Sequence, residues 1–353
     1  MPLSKEEQKQ YSRHLILETI GEKGQLQLKA AKVLVIGSGG LSCPVLQYLT
    51  AAGVGTIGII DNDRVDQTNL QRQILYTIED VGKHKALCAA HRLSLLNPFV
   101  NFQTYTERLS QNNAIDLFEA YDIIVDGTDN FQTKYLVNDA AVLTNKPVVF
   151  GSIFKFDGQV SVMNYKSSAT YRCLYPTPPK PDAVPNCSDI GVLGVLPGII
   201  GCLQANEVIK IICNLGNILA NKLLTFNALS LKQFILEYEK NETISITKLE
   251  EDYDFFCGVA PQKNEIIYEE LQAHLNRYNL LDVRTIAERE EKHIGGKHIP
   301  LNELQERLSE IETDKDLVVY CLSGGRSKQA INLIKNANIN VKLINLKQGL
   351  MGI

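Results

Sequence analysis

The sequence predicts an α/β fold: an open, doubly wound and mostly parallel sheet, followed by a second, smaller α/β unit. Three observations predict it. Between residue 32 and about residue 163, short apolar runs alternate with stretches of helical periodicity. The first apolar run, KVLVIG, passes through a glycine-rich turn straight into a helical pattern. From residue 265 a fresh strand-helix alternation begins, after a polar and patternless stretch at 240–264. A chain of 353 residues is long enough for two or three domains. The expected boundaries are a first domain over 1–245, a linker over 246–264 and a second domain over 265–353.

In the first domain the expected strands are KVLVIG (32–37), TIGIID (56–61), VNFQTY (100–105), YDIIVD (121–126) and PVVFG (147–151). The stretches 41–52, 83–96 and 131–144 read as helices. YPTPPKPDAVPNC (175–187) has five prolines in 13 residues, which deny it helix and ladder hydrogen bonds, so it is expected as an extended loop. An apolar helix over about 195–213 follows, then strands LLTFNA (223–228) and QFILEY (233–238). In the second domain the order is IIY, a helix at 268–278, LLDV, helices near 285–291 and 301–311, LVVYC, a helix from 326, and VKLINL.

Composition narrows the function classes. Hydrophobic content of 44%, charge of 22% and a net charge of −4 are those of an ordinary globular protein and carry no nucleic-acid footprint. The opening MPLSKEEQKQ is too charged for a signal peptide. The apolar run GVLGVLPGIIGCL (191–203) is short and interrupted by Gly and Pro, so no membrane span is expected, a span needing about 20 residues. The expected compartment is the cytoplasm, with the eight scattered cysteines mostly reduced. Cys43, Cys88, Cys202 and Cys213 fall on helical apolar patterns and are expected in the core.

The turn Gly37-Ser-Gly39-Gly40 follows a strand and opens a helix, the arrangement in which backbone N–H groups and a helix N-terminus meet a phosphate. Asp61 ends the next strand, where a carboxylate accepts from ribose hydroxyls. Ser42 stands where a dinucleotide fingerprint has its third glycine, so the turn points to a nucleotide and only weakly to NAD. Asn69 and Arg72 in TNLQRQ, Lys85 in GKHKA and Asp129 in DGTDN add an arginine, a lysine and a carboxylate. That set suits a triphosphate with Mg²⁺, the cations neutralising phosphate and the carboxylate taking the metal.

YSRHLIL, GSGGLS, DNDRVDQTNLQRQ, GKHKA and DGTDN together resemble the adenylating domain of the MoeB/ThiF branch of ubiquitin-activating-type enzymes over about residues 8–258. The resemblance implies a Rossmann-like sheet and ATP-dependent adenylation of the C-terminal glycine of a ubiquitin-like sulfur carrier ending in Gly-Gly. It implies that Asp61 holds the ribose and that Asn69, Arg72 and Lys85 hold the phosphates, with Thr68 and Asn130 beside them. It also implies that Asp129 holds Mg²⁺. Arg13 of YSRHLIL would reach a neighbouring subunit's site, so a homodimer is implied. Cys187 in NCSDIGVLGV resembles the cysteine of the loop that crosses over the adenylate and links covalently to the carrier, as thioester or mixed disulfide. Relatives carry two Cys-x-x-Cys pairs for a structural zinc. Here they read Thr170-Tyr-Arg-Cys173 and Asp254-Phe-Phe-Cys257, so tightly bound zinc is not expected.

Near the far end, Cys321 closes a strand and is followed by Leu-Ser-Gly324-Gly325-Arg326. Successive N–H groups in such a loop, with a helix behind it, form an anion-binding nest that lowers a thiol pKa. The loop alone serves a persulfide or a phosphate. LLDVRTIAEREEKHIGGKHIPLNEL, with Asp282 and Arg284, resembles the rhodanese fold over about 265–353 and implies a persulfide on Cys321. A sulfur donor such as a cysteine desulfurase is then expected. The sequence ends at LKQGLMGI and contains no tryptophan, so a compact version of that domain is expected.

Overall fold

The computed structural model describes residues 2–179, 191–257, 265–337, 339 and 341–352. The chain forms two compact units, Met1–Gly258 and Val259–Ile353. The first is built on strands β1 (Lys32–Ile36), β2 (Thr56–Ile60), β3 (Asn101–Tyr105), β4 (Ile123–Asp126), β5 (Val148–Phe154), β6 (Asp157–Met163), β7 (Lys222–Asn227) and β8 (Gln233–Glu237). They form one sheet in the order β3-β2-β1-β4-β5-β6-β7-β8. The first five are parallel and the last three antiparallel. Strands β1 and β4 are buried along nearly their whole length, which is why they read as continuous apolar runs rather than alternating ones.

Between β1 and β4 the order of the sheet reverses direction, and a doubly wound sheet opens a crevice there at the carboxyl ends of its strands. Gly37 follows β1 with φ +81°, a conformation that favours glycine. Ser42 opens the helix Ser42–Ala52, and its hydroxyl is buried with no partner among the described residues. A Cβ on Gly127 would lie 2.0 Å from that hydroxyl oxygen. The close helix approach that the missing third glycine would have allowed is therefore granted from the facing strand end.

The helix Val195–Cys213 is long and apolar enough to cross a membrane by length and composition. Pro197 lies in its first turn, where a missing N–H costs nothing, so the run continues past the point where the sequence suggested a break. Leu196, Ile200 and Val208 are fully buried in the core of the first unit, and Gln204 donates to the carbonyls of Asp126 and Val149 at 2.9 and 3.1 Å. Cys43, Cys88 and Cys213 are buried, and Cys202 is half-buried.

Within the stretch expected as a linker, Tyr253 and Cys257 are buried in the first unit's second core cluster, with Leu249 and Phe256 packed against it. Arg172 fastens this segment. Its guanidinium donates twice to Asp139, at 2.7 and 2.6 Å, and lies over the rings of Tyr135 and Phe256. The Tyr253 hydroxyl donates to the same carboxylate at 2.7 Å. Asp139 is 1% exposed, so removing Arg172 strands a buried charge. Arg172→Ala is expected to lower stability by about 3–5 kcal/mol, read by equilibrium urea unfolding.

The second unit has β9 (Glu265–Ile266), β10 (Tyr278–Asp282), β11 (Lys297–His298), β12 (Asp316–Tyr320) and β13 (Leu343–Leu346), all parallel, in the order β11-β10-β12-β13-β9. The helix expected over 301–311 is instead a series of turns closing in a 3-10 turn at Leu308–Glu310. Leu304 and Ile311 are buried in the core with Leu301 and Leu308 packed on it. The apolar spacing marked burial correctly, but turns achieve it.

Candidate active sites

At the carboxyl ends of β1, β2 and β4 lies a cavity of about 240 Å³. Gly37, Gly39, Gly40, Asp61, Arg72, Lys85, Asp129 and Asn130 all line it. The glycine turn is braced from below: the Ser38 N–H donates to Asp61 Oδ2 at 2.6 Å, and the Tyr76 hydroxyl donates to the Ser38 carbonyl at 2.8 Å. Burial pushes the Asp61 carboxyl up, against the pull of Lys85. Lys85 is itself buried and pairs with Asp63 at 3.0 Å. Arg72 donates to the Thr68 carbonyl at 3.1 Å.

Two expected residues stand off this cavity. The Thr68 N–H and hydroxyl donate to Asp66, and the Asn69 carboxamide oxygen accepts from the Asp66 N–H. Together they cap the 3-10 turn Gln67–Asn69, and neither lines the cavity. Their side chains set the turn that carries Arg72. Asn130 lines the cavity, but its side-chain oxygen caps the helix Phe131–Thr144 by accepting from the Thr133 N–H at 2.9 Å. Asp129 is exposed and has no ion pair among the described residues. Its oxygens fit Mg²⁺.

Asp63, Gln73 and Arg108 are among the lining residues that escaped sequence reasoning. Asp63 neutralises Lys85. The Gln73 side-chain oxygen is buried at the cavity with no hydrogen-bond partner among the described residues. Arg108 comes from the loop after β3 and forks onto Asp254 at 2.9 and 3.2 Å. Asp63 and Gln73 lie in segments already singled out by motif, so the signal was at hand. Arg108 stands in no motif, and only the strand order brings it here.

Arg13 is exposed on the short helix Ser12–Leu15 and does not line its own chain's cavity. Cys187 lies outside the described residues. The remnant zinc positions have other partners. The Thr170 hydroxyl and the Asn241 N–H contact the Cys173 sulfur, and Arg108 holds Asp254. Burial pushes the Cys257 thiol up to about 12, with Arg172 pulling against it. These donors do not fit a closed structural zinc, and no group of three metal-ligating side chains occurs among the described residues.

In the second unit, Cys321 follows β12 and is fully buried. The Gly324 N–H donates to its sulfur at 3.1 Å, and Gly324 has φ +90°, the left-handed backbone that turns N–H groups inward. Burial works to raise the Cys321 thiol, but hydrogen bonds from Ser327, Ser323 and Gly324 outweigh it and hold the thiol below its ordinary value. The helix Gly325–Asn336 begins directly behind the loop. Arg326 grips Glu288 with both terminal nitrogens and holds that carboxyl well below its usual range. Beneath the loop, Asp282 and Arg284 form a buried bidentate pair at 2.9 and 2.6 Å.

Residues 11–245 match the ThiF family and residues 268–353 match the rhodanese-like domain. The chain is 43% identical to a probable adenylyltransferase/sulfurtransferase MoeZ of Mycobacterium tuberculosis, over 96% of this chain and 91% of that protein. It is 47% identical to a sulfur carrier protein adenylyltransferase of Thermus thermophilus, over 73% of this chain and 100% of that one. To the zebrafish (Danio rerio) adenylyltransferase and sulfurtransferase MOCS3 it is 39% identical, over 92% of this chain and 79% of the other. Among solved structures, a complex of Escherichia coli MccB aligns with a TM-score of 0.61 at 23% identity, over 69% of this chain and 75% of that one, a likeness of fold.

Proposed function

The chain belongs to the ThiF family, and from that premise and its rhodanese-like domain we propose that it is an adenylyltransferase and sulfurtransferase acting on a ubiquitin-like sulfur carrier. The carrier's C-terminal glycine carboxylate attacks the α-phosphorus of ATP and expels pyrophosphate. The product is an acyl adenylate, a good electrophile because AMP leaves easily. Asp61 orients the ribose. The glycine turn, Arg72 and Lys85 neutralise the phosphates, and the Gln73 side-chain oxygen at the same wall accepts from a nucleotide N–H or O–H donor. Asp129 would hold Mg²⁺, which supplies further charge neutralisation on the phosphates.

The terminal sulfur of a Cys321 persulfide then attacks the acyl carbon and releases AMP, leaving the carrier joined to Cys321 through an acyl disulfide. A second thiol, assigned here to Cys187, attacks the Cys321 sulfur. This frees the carrier thiocarboxylate and leaves a Cys187–Cys321 disulfide, which an external dithiol reduces. The persulfide is replenished by a donor of the cysteine desulfurase class. Arg13 completes the cavity of a second copy in a homodimer. Its exposed position beside Ile16 and Leu17, 69% and 49% exposed, supports that reading.

One observation carries the proposal: a cavity of about 240 Å³ that gathers the glycine turn, Asp61, Arg72 and Lys85, and an anion-holding cysteine loop, occur in one chain. The test supplies the full-length protein with ATP, Mg²⁺, a desulfurase with cysteine, and carriers of the molybdopterin, thiamine and tRNA-thiolation classes in turn. AMP release and replacement of one carrier oxygen by sulfur are expected with at least one. Absence of AMP with all of them overturns the reading.

A further inference from the structure

Behind Cys321 runs a chain of buried polar side chains that the reaction as written does not use. The Ser327 oxygen lies 3.4 Å from the Cys321 sulfur, 2.6 Å from Asn345 Oδ1 and 3.0 Å from the Gly324 carbonyl. Asn345 Nδ2 donates to Glu265 Oε1 at 3.0 Å, across the β13–β9 register in which the two residues are direct partners. Lys328 pairs with the same Glu265 oxygen at 3.0 Å. Cys321, Ser327 and Asn345 are each at most 1% exposed, so bulk solvent does not reach these bonds.

The direction of each bond follows from what each group is able to do. Burial works to raise the Glu265 carboxyl, but Lys328 and Asn345 outweigh it and keep it charged. A carboxylate only accepts, so Asn345 must turn its NH₂ toward Glu265 and its oxygen toward Ser327. An amide oxygen also only accepts, so at 2.6 Å the Ser327 hydroxyl is the donor. That hydroxyl has one proton. The hydroxyl reaches the sulfur at 3.4 Å but Asn345 at 2.6 Å, so the shorter bond takes the proton, a lone pair faces the sulfur, and the lowering of the Cys321 thiol falls to the backbone N–H groups of Ser323, Gly324 and Ser327 and not to the Ser327 side chain.

We propose that Asn345, fixed by Glu265, is a positioning residue for the sulfur chemistry: it holds the Ser327 hydroxyl proton away from Cys321, so that backbone N–H groups alone hold the anionic sulfur. This rests on the reading of Cys321 as the sulfur-carrying thiol. In loading, the Cys321 thiolate attacks the outer sulfur of the donor's persulfide and releases the donor's thiolate. Thiolate nucleophilicity falls as its pKa falls. Withholding one donor keeps the sulfur from being over-stabilised, and so keeps it a competent acceptor. Arg326 pairs with Glu288, Asp282 with Arg284 and Arg289, and Glu265 with Lys328, while Lys347 adds positive charge near Glu265. None of these groups is altered by turning the Ser327 hydroxyl, so its orientation is tested separately.

The experiment measures ionisation of Cys321 alone. Full-length protein, reduced to strip any persulfide, is alkylated with iodoacetamide from about pH 5 to 9, and the Cys321 peptide is followed by mass spectrometry. Asn345→Leu frees the hydroxyl to turn toward the sulfur. Its alkylation midpoint is expected to fall, with up to about tenfold more thiolate below the midpoint. Ser327→Ala is expected not to raise the midpoint, because no donor is lost, and the double variant returns to the Ser327→Ala value. A raised midpoint in Ser327→Ala overturns the proposal, as does an Asn345→Leu midpoint that stays or rises. The Ser327→Ala arm stands by itself should Asn345→Leu fail to fold. Neither ATP nor carrier enters this assay, so its failure is separable from an absence of AMP release.

Discussion

Replacing Cys321 with alanine is expected to cut formation of the carrier thiocarboxylate, and the AMP release that accompanies it, by roughly 10⁴-fold or more, and to leave carrier-dependent ATP–pyrophosphate exchange at the wild-type rate. The split follows from the placement of the two chemistries. The sulfur of Cys321 sits in a loop of the second unit, whereas every residue assigned to phosphate and ribose lines the cavity of the first. Cys321→Ser is the control for packing: its hydroxyl keeps the Gly324 N–H contact but holds no sulfane sulfur, so it is expected to match alanine. Carrier mass and pyrophosphate exchange, followed on the same preparation, decide the matter. Loss of exchange as well in a folded variant would mean that the loop serves adenylation too.

Lys85→Ala has the opposite pattern. AMP formation is expected to fall by about 10²–10³-fold, the usual cost of deleting one preorganised charge aimed at a transition state. Thiocarboxylate disappears with it, while persulfide loading of Cys321 by the donor is unchanged. The variant should fold, because the partner left behind, Asp63, is 62% exposed and finds water. Lys85 is 7% exposed and so acts where solvent screens little. Single-turnover AMP release checks the first expectation, and mass analysis of the Cys321 peptide checks the second.

Much of this architecture was legible in the sequence. The parallel strands β1, β2 and β4 are buried on both faces and announce themselves as apolar runs, and the glycine turn, Asp61 and Lys85 stand at strand ends or helix starts. Strand β6 was missed. It opens with Asp157, Gly158 and Gln159, and the hairpin leading into it turns at Lys155, a non-glycine residue at φ +54° with no turn signature. Arg108 was missed because its approach to the cavity depends on the sheet order, which places the end of β3 two strands from β1. The Arg172–Asp139–Tyr253 fastening joins residues far apart in the chain, and no spacing rule connects them. Asn69 shows the converse: a motif residue whose side chain is taken up by a local cap.

The grip of Arg326 on Glu288 bears on selectivity. A phosphomonoester dianion entering the Cys321 loop would meet oriented amides but no free guanidinium, since that cation already belongs to a carboxylate. Amide dipoles suffice for one negative charge, whereas two in a buried pocket call for a counter-cation. The loop is therefore expected to favour monoanionic cargo over doubly charged esters, although it is built on the same scaffold logic that elsewhere cleaves phosphate.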